Sequence, residues 1–229
     1  MLERLTDNKN EKVDAIEQLT LTIKLRNLVS KNAEIEDFYQ LVSRQTPIIS
    51  FIESVFMLLI SAYDSTEHGS MQYYLGLEAL WMIHDMVVST EVEQLNELLL
   101  TDDGPSNLLQ YIDRAMRSND VALVEMSTMF LSNAMERKET AVIVKDHVPI
   151  FDSLYTLLED IEKLEIYTVT NVLGAISRLC MNDLFEVDQV KRFTGVFATA
   201  LSMPDPDTKV FAMQALIYLT NNASEEVLG

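Results

Sequence analysis

The chain has 229 residues, of which 48% are hydrophobic, so it is long and apolar enough to bury a sizeable core. Its 17 basic and 36 acidic side chains give a formal charge of −19, which disfavours nucleic acid and anionic membrane surfaces as partners and favours basic peptides. The alternative is that the acidity only keeps an extended surface soluble. Glycine (6) and proline (5) are scarce and helix formers dominate, so the composition predicts an all-helical fold.

The part of the chain before residue 64 is predicted to be helical. Apolar residues at three- and four-residue spacing indicate a first helix over residues 10–30, and a shorter segment covers residues 35–43. Thr46 followed by Pro47 is typical of a helix start, because proline is favoured at the first helical position. A very apolar helix is therefore predicted to begin there and to end before the polar break at residues 64–70.

The stretch over residues 77–88, LEALWMIHDMVV, contains the single tryptophan of the chain. Trp81 and Asp85 lie one helical turn apart, on a face next to the apolar stripe. Two interpretations are open: the pair is a ledge for a ligand, or Trp81 belongs to the core beside a solvated acid. The stripe that is predicted to be buried comprises Leu77, Leu80, Ile83 and Val87.

The rest of the chain repeats one order of parts. Short helices are predicted over residues 91–100 and near 140–144, and Pro105 and Pro149 each open a longer helix. A turn is predicted over residues 101–104, and no stretch alternates as a strand does. The other predicted helices cover residues 121–135, with a cap at residues 118–120, and residues 165–181, 187–201 and 208–220.

The period of these parts indicates the architecture. Aligning the long third helices on Trp81 pairs it with Met129, Gly174 and Gln214, roughly 40 to 48 residues apart. Units of this length, with a short helix followed by two longer antiparallel ones, are typical of armadillo and HEAT solenoids. Because such units bury their apolar faces only by stacking, their third helices are expected to line a concave surface.

Three stretches of the chain carry a family resemblance. Residues 24–31, KLRNLVSK, are similar to the R-K-L-L-S-K end of the first helix of importin-α, an armadillo family that carries nuclear-localisation-signal cargo. Residues 173–182, LGAISRLCMN, resemble its W-T-L-S-N-L-C-R-N segment, and residues 214–221, QALIYLTN, resemble its W-A-I-S-Y-L-T-D segment. The resemblance implies an all-α, right-handed armadillo-repeat solenoid, a superhelix of three-helix repeats. We predict one domain over residues 1–229 with about five repeats, the first beginning near residues 1–10 and the last ending near residue 221.

The resemblance also implies where a peptide would bind. Importin-α presents W-x-x-x-N pairs on successive third helices, in which the tryptophan packs on the stem of a basic side chain and the asparagine bonds the peptide backbone. Trp81 matches the first tryptophan, and Asp85 stands at the asparagine position. The other positions of the pattern are held by Met129 and Asn133 on the second repeat, Gly174 and Arg178 on the third, and Gln214 and Tyr218 on the fourth, where Tyr218 matches the tyrosine of that repeat.

Two of these polar positions also have plainer interpretations. Asn133 is either a peptide-binding amide or an ordinary polar residue of a helix. Glu136, one turn further on, is either solvated or helps to hold a cationic side chain. The predicted peptide-binding residues are Trp81, Asp85, Met129, Asn133, Glu136, Gln214 and Tyr218.

No motif of catalysis or metal binding occurs in the sequence. It has no phosphate-binding glycine loop, no G-x-S-x-G and no H-E-x-x-H, and its 3 histidines lack ligand spacing. Cys180 lies in an apolar pattern, which predicts a small buried side chain in a reducing compartment. The chain is therefore predicted to be no enzyme and to use no metal or other cofactor.

The resemblance implies an importin-α-like nuclear transport adaptor, in the cytoplasm and nucleus, that binds basic nuclear-localisation-type segments of a cargo protein. An importin-β-type receptor is a further partner if a basic arm precedes this sequence, and neither nucleic acid nor membrane is expected to bind. The alternative is a divergent armadillo scaffold for protein–protein interaction that does not bind nuclear localisation signals. A third possibility is self-association through the ends of the solenoid.

Overall fold

The computed structural model describes residues 15–32, 70–87, 92–101, 104–105, 107–118, 120–159 and 161–222. The predicted segment over residues 35–43 and the helix start at Thr46 and Pro47 lie outside the described residues. The chain divides into two compact units, residues 1–98 and 99–229. Each unit is taken by itself below.

In the first unit, two long helices pack against each other. Helix α1 spans Ala15–Asn32, α2 spans Met71–Val87, and α3 spans Val92–Leu99 at the end of the unit. Helices α1 and α2 form the contact. The predicted stripe of α2 is confirmed at its three inner positions, since Leu80, Ile83 and Val87 are buried.

The fourth position of the stripe, Leu77, was predicted to be buried and is only half-buried. Leu77 precedes Trp81 by four residues, so it lies one turn away on nearly the same side of the helix. Because the Trp81 side faces solvent, Leu77 lies at the edge of the buried stripe, and part of its side chain is exposed.

The second unit arranges its long helices in two layers. Helix α8 packs between α5 and α10, and these three form one layer, which we call the third-helix layer. Helices α4, α7 and α9 lie next to one another in the second layer, and each packs on its successor in the third-helix layer. The helices are α4 (Asn107–Met116), α5 (Val121–Ala134), α6 (Lys138–His147), α7 (Ile150–Leu158), α8 (Ile166–Met181), α9 (Val187–Ser202) and α10 (Pro206–Asn222), with a short 3-10 helix at Ile161–Lys163.

Two helix starts in this unit are fixed by aspartate caps. Asp120 caps α5 as predicted, its carboxylate accepting the Leu123 N–H at 3.0 Å. Asp205 accepts the Thr208 N–H at 2.7 Å, so Pro206 becomes the first residue of α10. The predicted start at residue 208 was therefore two residues too late.

Two local predictions about short elements were wrong. The short segment predicted near residues 140–144 is a ten-residue helix, α6, because the pattern extends to His147. No strand was predicted, yet β1 (Leu100–Thr101) pairs antiparallel with β2 (Gly104–Pro105). This pair spans the predicted turn, and two residues per strand are too few to show alternation.

Helix α8 ends in a left-handed cap of the kind that glycine usually makes, and here Asp183 makes it. Asp183 has a positive φ of 59°, and its N–H donates to the Cys180 carbonyl at 3.1 Å. The next N–H, of Leu184, donates to the Leu179 carbonyl at 3.1 Å. The Asn182 amide donates to the Met135 carbonyl at 2.8 Å and so ties this end of α8 to the end of α5.

Candidate peptide-binding face

Trp81 lies on the surface of the first unit. Its side chain is 44% exposed, which excludes the interpretation of a core tryptophan. The Arg26 guanidinium of α1 lies over the indole, 5.6 Å from the ring centroid, within the range of a cation–π contact. Arg26 also donates a hydrogen bond from Nε to Glu78, one turn before Trp81 on α2. The indole therefore already holds a cation of the chain itself.

Asp85 is likewise engaged by neighbouring side chains. It accepts a hydrogen bond from the Ser30 hydroxyl of α1, and its other oxygen lies 3.1 Å from His84 Nδ1. Burial raises the pKa of Asp85, but the hydrogen bonds from His84 and Ser30 and the charges of His84 and Arg26 outweigh it. The net pKa is below its ordinary value of 3.8, so the carboxylate is ionised at neutral pH.

In the second unit, the predicted residues lie on the solvent-exposed side of the third-helix layer. Met129 is half-buried and accepts a hydrogen bond at Sδ from the Tyr167 hydroxyl of α8, at 3.3 Å. Asn133, one turn further along α5, is half-buried as well. We call this side of α5, α8 and α10 the open face; it comprises Glu125, Met129, Asn133, Glu136, Tyr167, Asn171, Arg178, Gln214 and Tyr218.

The remaining predicted residues of the open face contact α8 or lie beside it. Glu136, whose side chain is 63% exposed, forms a long ion pair of 3.5 Å with Arg178. Gln214 on α10 accepts a weak hydrogen bond from the Ser177 hydroxyl at 3.5 Å, and Tyr218, one turn later, is half-buried. The open face therefore carries the acid and amide groups that were predicted, together with a cation at its centre.

Gly174 shows why no aromatic side chain occupies the middle of α8. A Cβ atom there would lie 2.6 Å from the Ser132 hydroxyl oxygen and 3.6 Å from the Phe211 ring. The glycine lets α5 and α10 close over this turn. The tryptophan position of the third repeat is therefore filled by the neighbouring helices.

The sequence did not indicate several residues around Trp81 and on the open face. Glu78 and Asn171 lie at helical spacing from Trp81 and Arg178, so extending the one-turn pattern towards each N-terminus would have found them. Arg26 and Ser30 carry no such signal, because they reach Trp81 and Asp85 from a different helix. Their positions depend on how α1 stacks on α2.

We also searched the described part of the chain for metal ligands, reactive thiols and membrane-spanning helices. No group of three His, Cys, Asp or Glu residues able to hold a metal ion occurs among the described residues. Cys180 is buried as predicted, and burial raises the pKa of its thiol well above the ordinary value. Within the same residues, none of the helices has the length and apolar character needed to cross a bilayer.

Solved structures similar to this chain include designed armadillo repeat proteins. A designed armadillo repeat protein in complex with the peptide (KR)4 has a TM-score of 0.69 and 14% identity, and the match covers 99% of this chain and 82% of that one. A computationally designed armadillo repeat protein for modular peptide recognition also has a TM-score of 0.69, with 12% identity over 99% of this chain and 83% of that one.

The chain has an armadillo-repeat fold. The predicted fold class is thereby confirmed. No protein-family model matches the chain, and no curated protein matches it. The resemblance to importin-α therefore stays a prediction, as does the single domain of about five armadillo repeats.

Proposed function

We propose that this armadillo protein is a protein-interaction scaffold that binds an extended basic peptide segment along its third helices. The observation that carries the proposal is the Arg26 guanidinium, 5.6 Å from the centroid of the Trp81 ring. Because the indole accommodates this cation, it can also accommodate a lysine or arginine of another chain. Such a contact contributes about 0.5 to 1 kcal/mol at an exposed site.

Charge and fold support the same proposal. The formal charge of −19 attracts a basic segment and raises its rate of association, most strongly at low ionic strength. A similar designed armadillo protein is in complex with (KR)4, a peptide of alternating lysine and arginine. A basic peptide is therefore the natural first ligand to test.

Each predicted site residue has a physical role in this proposal. Trp81 packs on the stem of a basic side chain, and Asp85 and Glu136 attract its charge. The Asn133 amide bonds the peptide backbone, which has both donors and acceptors. The apolar and polar surfaces of Met129, Gln214 and Tyr218 line the path beside it.

The finer proposal is an importin-α-like adaptor for nuclear-localisation-type segments of cargo. It rests on the three similar stretches and on the Trp81 and Asn133 positions of the W-x-x-x-N pattern. An importin-β-type receptor would then dock on a basic arm, and the protein would act in the cytoplasm and nucleus. Receptor binding and nuclear uptake of a fused reporter are the measurements for this level.

A second candidate is a scaffold that does not bind nuclear localisation signals. The observation that favours it is that cations of the chain already occupy two acceptor positions, Arg26 at Trp81 and Arg178 at Glu136. A basic cargo must displace or avoid both. For this scaffold, a pull-down is expected to enrich apolar or acidic partners and no transport receptor.

Titration of labelled (KR)4 by fluorescence anisotropy tests basic-peptide binding. We expect binding at low salt that weakens as salt is added, and a loss of affinity in Trp81→Ala. Tyr155→Ala is the matched control, because Arg192 stacks on Tyr155 at 3.9 Å in the other layer of the second unit. Absence of binding at low salt, or equal losses in the two variants, contradicts the proposal.

A further inference from the structure

Helix α10 carries a row of exposed apolar side chains. Val210, Met213 and Ile217 lie at three- and four-residue spacing, so they share one side of the helix, and each is about half exposed. We call these three residues the α10 ridge. Among the described residues, no other helix carries more than two large apolar side chains that are exposed. A contiguous exposed apolar patch of this kind is typical of an interaction surface.

The ridge lies opposite the side on which α10 packs within the chain. Ala212 and Ala215 are buried, and α8 and α9 form the main contacts of α10 among the described helices. With 3.6 residues per turn, the ridge lies about half a turn away from these two alanines. Helix α10 is thus apolar on opposite sides, which is typical of a helix that other helices cover on both.

The ridge is also distinct from the open face. Gln214 and Tyr218, the residues of α10 on the open face, lie about a quarter of a turn from the ridge. A partner on the ridge therefore contacts a different side of α10 from a peptide on the open face.

The charge of α10 favours a second copy of this chain as the partner. The chain has a formal charge of −19, whereas α10 has one acid, Asp207, and one base, Lys209, among its 17 residues. Two copies repel each other over most of their surfaces, and they repel least where α10 meets α10. A basic peptide, in contrast, finds no carboxylate on the ridge.

The order of residues along the ridge is self-complementary. Val210 lies three residues before Met213, and Ile217 lies four residues after it. When two copies of α10 cross antiparallel about a two-fold axis at Met213, Val210 of each copy faces the partner's Ile217, and the two Met213 side chains meet at the axis. Methionine suits this central position because its flexible side chain fills irregular gaps.

We propose that the α10 ridge binds the same ridge of a second copy and so forms a two-fold symmetric dimer. Three half-exposed side chains cover much less than the roughly 800 Å² per partner of a stable interface, so the dimer is weak and forms at about 100 µM protein. Salt strengthens the dimer, because it screens the repulsion between two acidic chains. The inference goes beyond the proposed function and does not depend on it.

Sedimentation velocity at about 100 µM protein measures the dimer fraction. Between about 50 and 500 mM salt, we expect the dissociation constant of the dimer to fall about tenfold. Met213→Glu should weaken association at least about tenfold, because it brings two carboxylates together at the axis. Val121→Glu is the matched control, since it adds the same charge at an exposed apolar residue at the start of α5, and it should leave the dimer unchanged.

Disulfide cross-linking tests the position of the two-fold axis. When oxidised with diamide, Met213→Cys should form a covalent dimer at least about tenfold faster than Val121→Cys, because its thiol lies beside that of the partner. The native Cys180 is buried and does not compete. Circular dichroism melts check that all variants are folded.

A monomer at both salt concentrations would leave the ridge to a partner of another kind and overturn the inference. Equal effects of Met213→Glu and Val121→Glu, or equal cross-linking of the two cysteine variants, would overturn it as well. Binding of (KR)4 is measured separately by anisotropy and should weaken with salt, whereas the dimer should strengthen. Failure of the proposed function and failure of the dimer are therefore distinguishable.

Discussion

Replacing Arg26 with alanine removes the cation that the chain itself places on Trp81. In the wild type, a basic peptide that uses the indole must displace Arg26 from the ring and from Glu78. In Arg26→Ala the ring and the carboxylate are both free for the peptide. We therefore expect the variant to bind a basic peptide more tightly than the wild type.

The size of the effect follows from the two contacts of Arg26. The cation–π contact with Trp81 contributes about 0.5 to 1 kcal/mol. The ion pair with Glu78, whose partners are about a quarter exposed, contributes about 0 to 1 kcal/mol. Their displacement costs the peptide about 0.5 to 2 kcal/mol together, so the dissociation constant should fall about 2- to 30-fold.

Anisotropy of labelled (KR)4 measures the dissociation constant, and the fluorescence of the single tryptophan reports on the site directly. Lys24→Ala is the matched control, because Lys24 is an exposed cation on the same helix and its loss changes the net charge by the same amount. We expect a gain in affinity of less than twofold for this control. Peptide addition should change the Trp81 emission more in Arg26→Ala than in the wild type, because the ring starts uncovered.

An unchanged or weaker affinity in Arg26→Ala would refute this reasoning. Equal gains in Arg26→Ala and Lys24→Ala would show that overall charge, and not the uncovered indole, determines the affinity. A gain that persists in the double variant Arg26→Ala/Trp81→Ala would exclude Trp81 as its cause.

Four further predictions concern stability and reactivity. Gly174→Ala should destabilise the fold in urea because its Cβ meets the Ser132 hydroxyl at 2.6 Å. In a Ser132→Ala background the same substitution should stabilise the fold by up to about 1 kcal/mol, since alanine favours helix. Equal effects in both backgrounds contradict this prediction. Because the pKa of Asp85 lies below 3.8, its ionised form stabilises the folded state above that pH, and this contribution is lost as the pH falls through the lowered pKa. Asp85→Asn should therefore flatten the pH dependence of the free energy of unfolding in urea in this acidic range. An unchanged pH profile in the variant argues against the prediction. Asp120→Ala should lower the free energy of unfolding by about 0.5 to 2 kcal/mol through loss of the cap, whereas Asp146→Ala, at an exposed helix position, should change it little. Cys180, 1% exposed and with a raised pKa, should react with a thiol reagent only when the protein unfolds, so rapid labelling of the native protein would contradict its burial.

Much of the fold could be predicted from the sequence because helices are local structures. The three-to-four-residue spacing of apolar side chains located α2, α5 and α8 and placed Leu80 and Ile83 on a buried stripe, but it left open whether Trp81 is a core or a surface residue. Proline and aspartate placed the helix starts to within a few residues, since capping involves neighbours in the chain. Recurrence of the third helices predicted the repeat class, which requires only a period.

The chemistry of the candidate site depended on tertiary structure. The sequence placed Trp81 and Asp85 on one face, but it held no information that Arg26 and Ser30 of α1 reach them. Likewise, Arg178 was expected on the peptide path, and only the stacking of α8 on α5 set it beside Glu136. Helical periodicity fixes which side of a helix a residue faces and leaves the offset between two stacked helices open. That offset is set by how side chains fit between the helices, as Gly174 fits under Ser132, and it decides which charges of this protein are already paired and which remain for a partner.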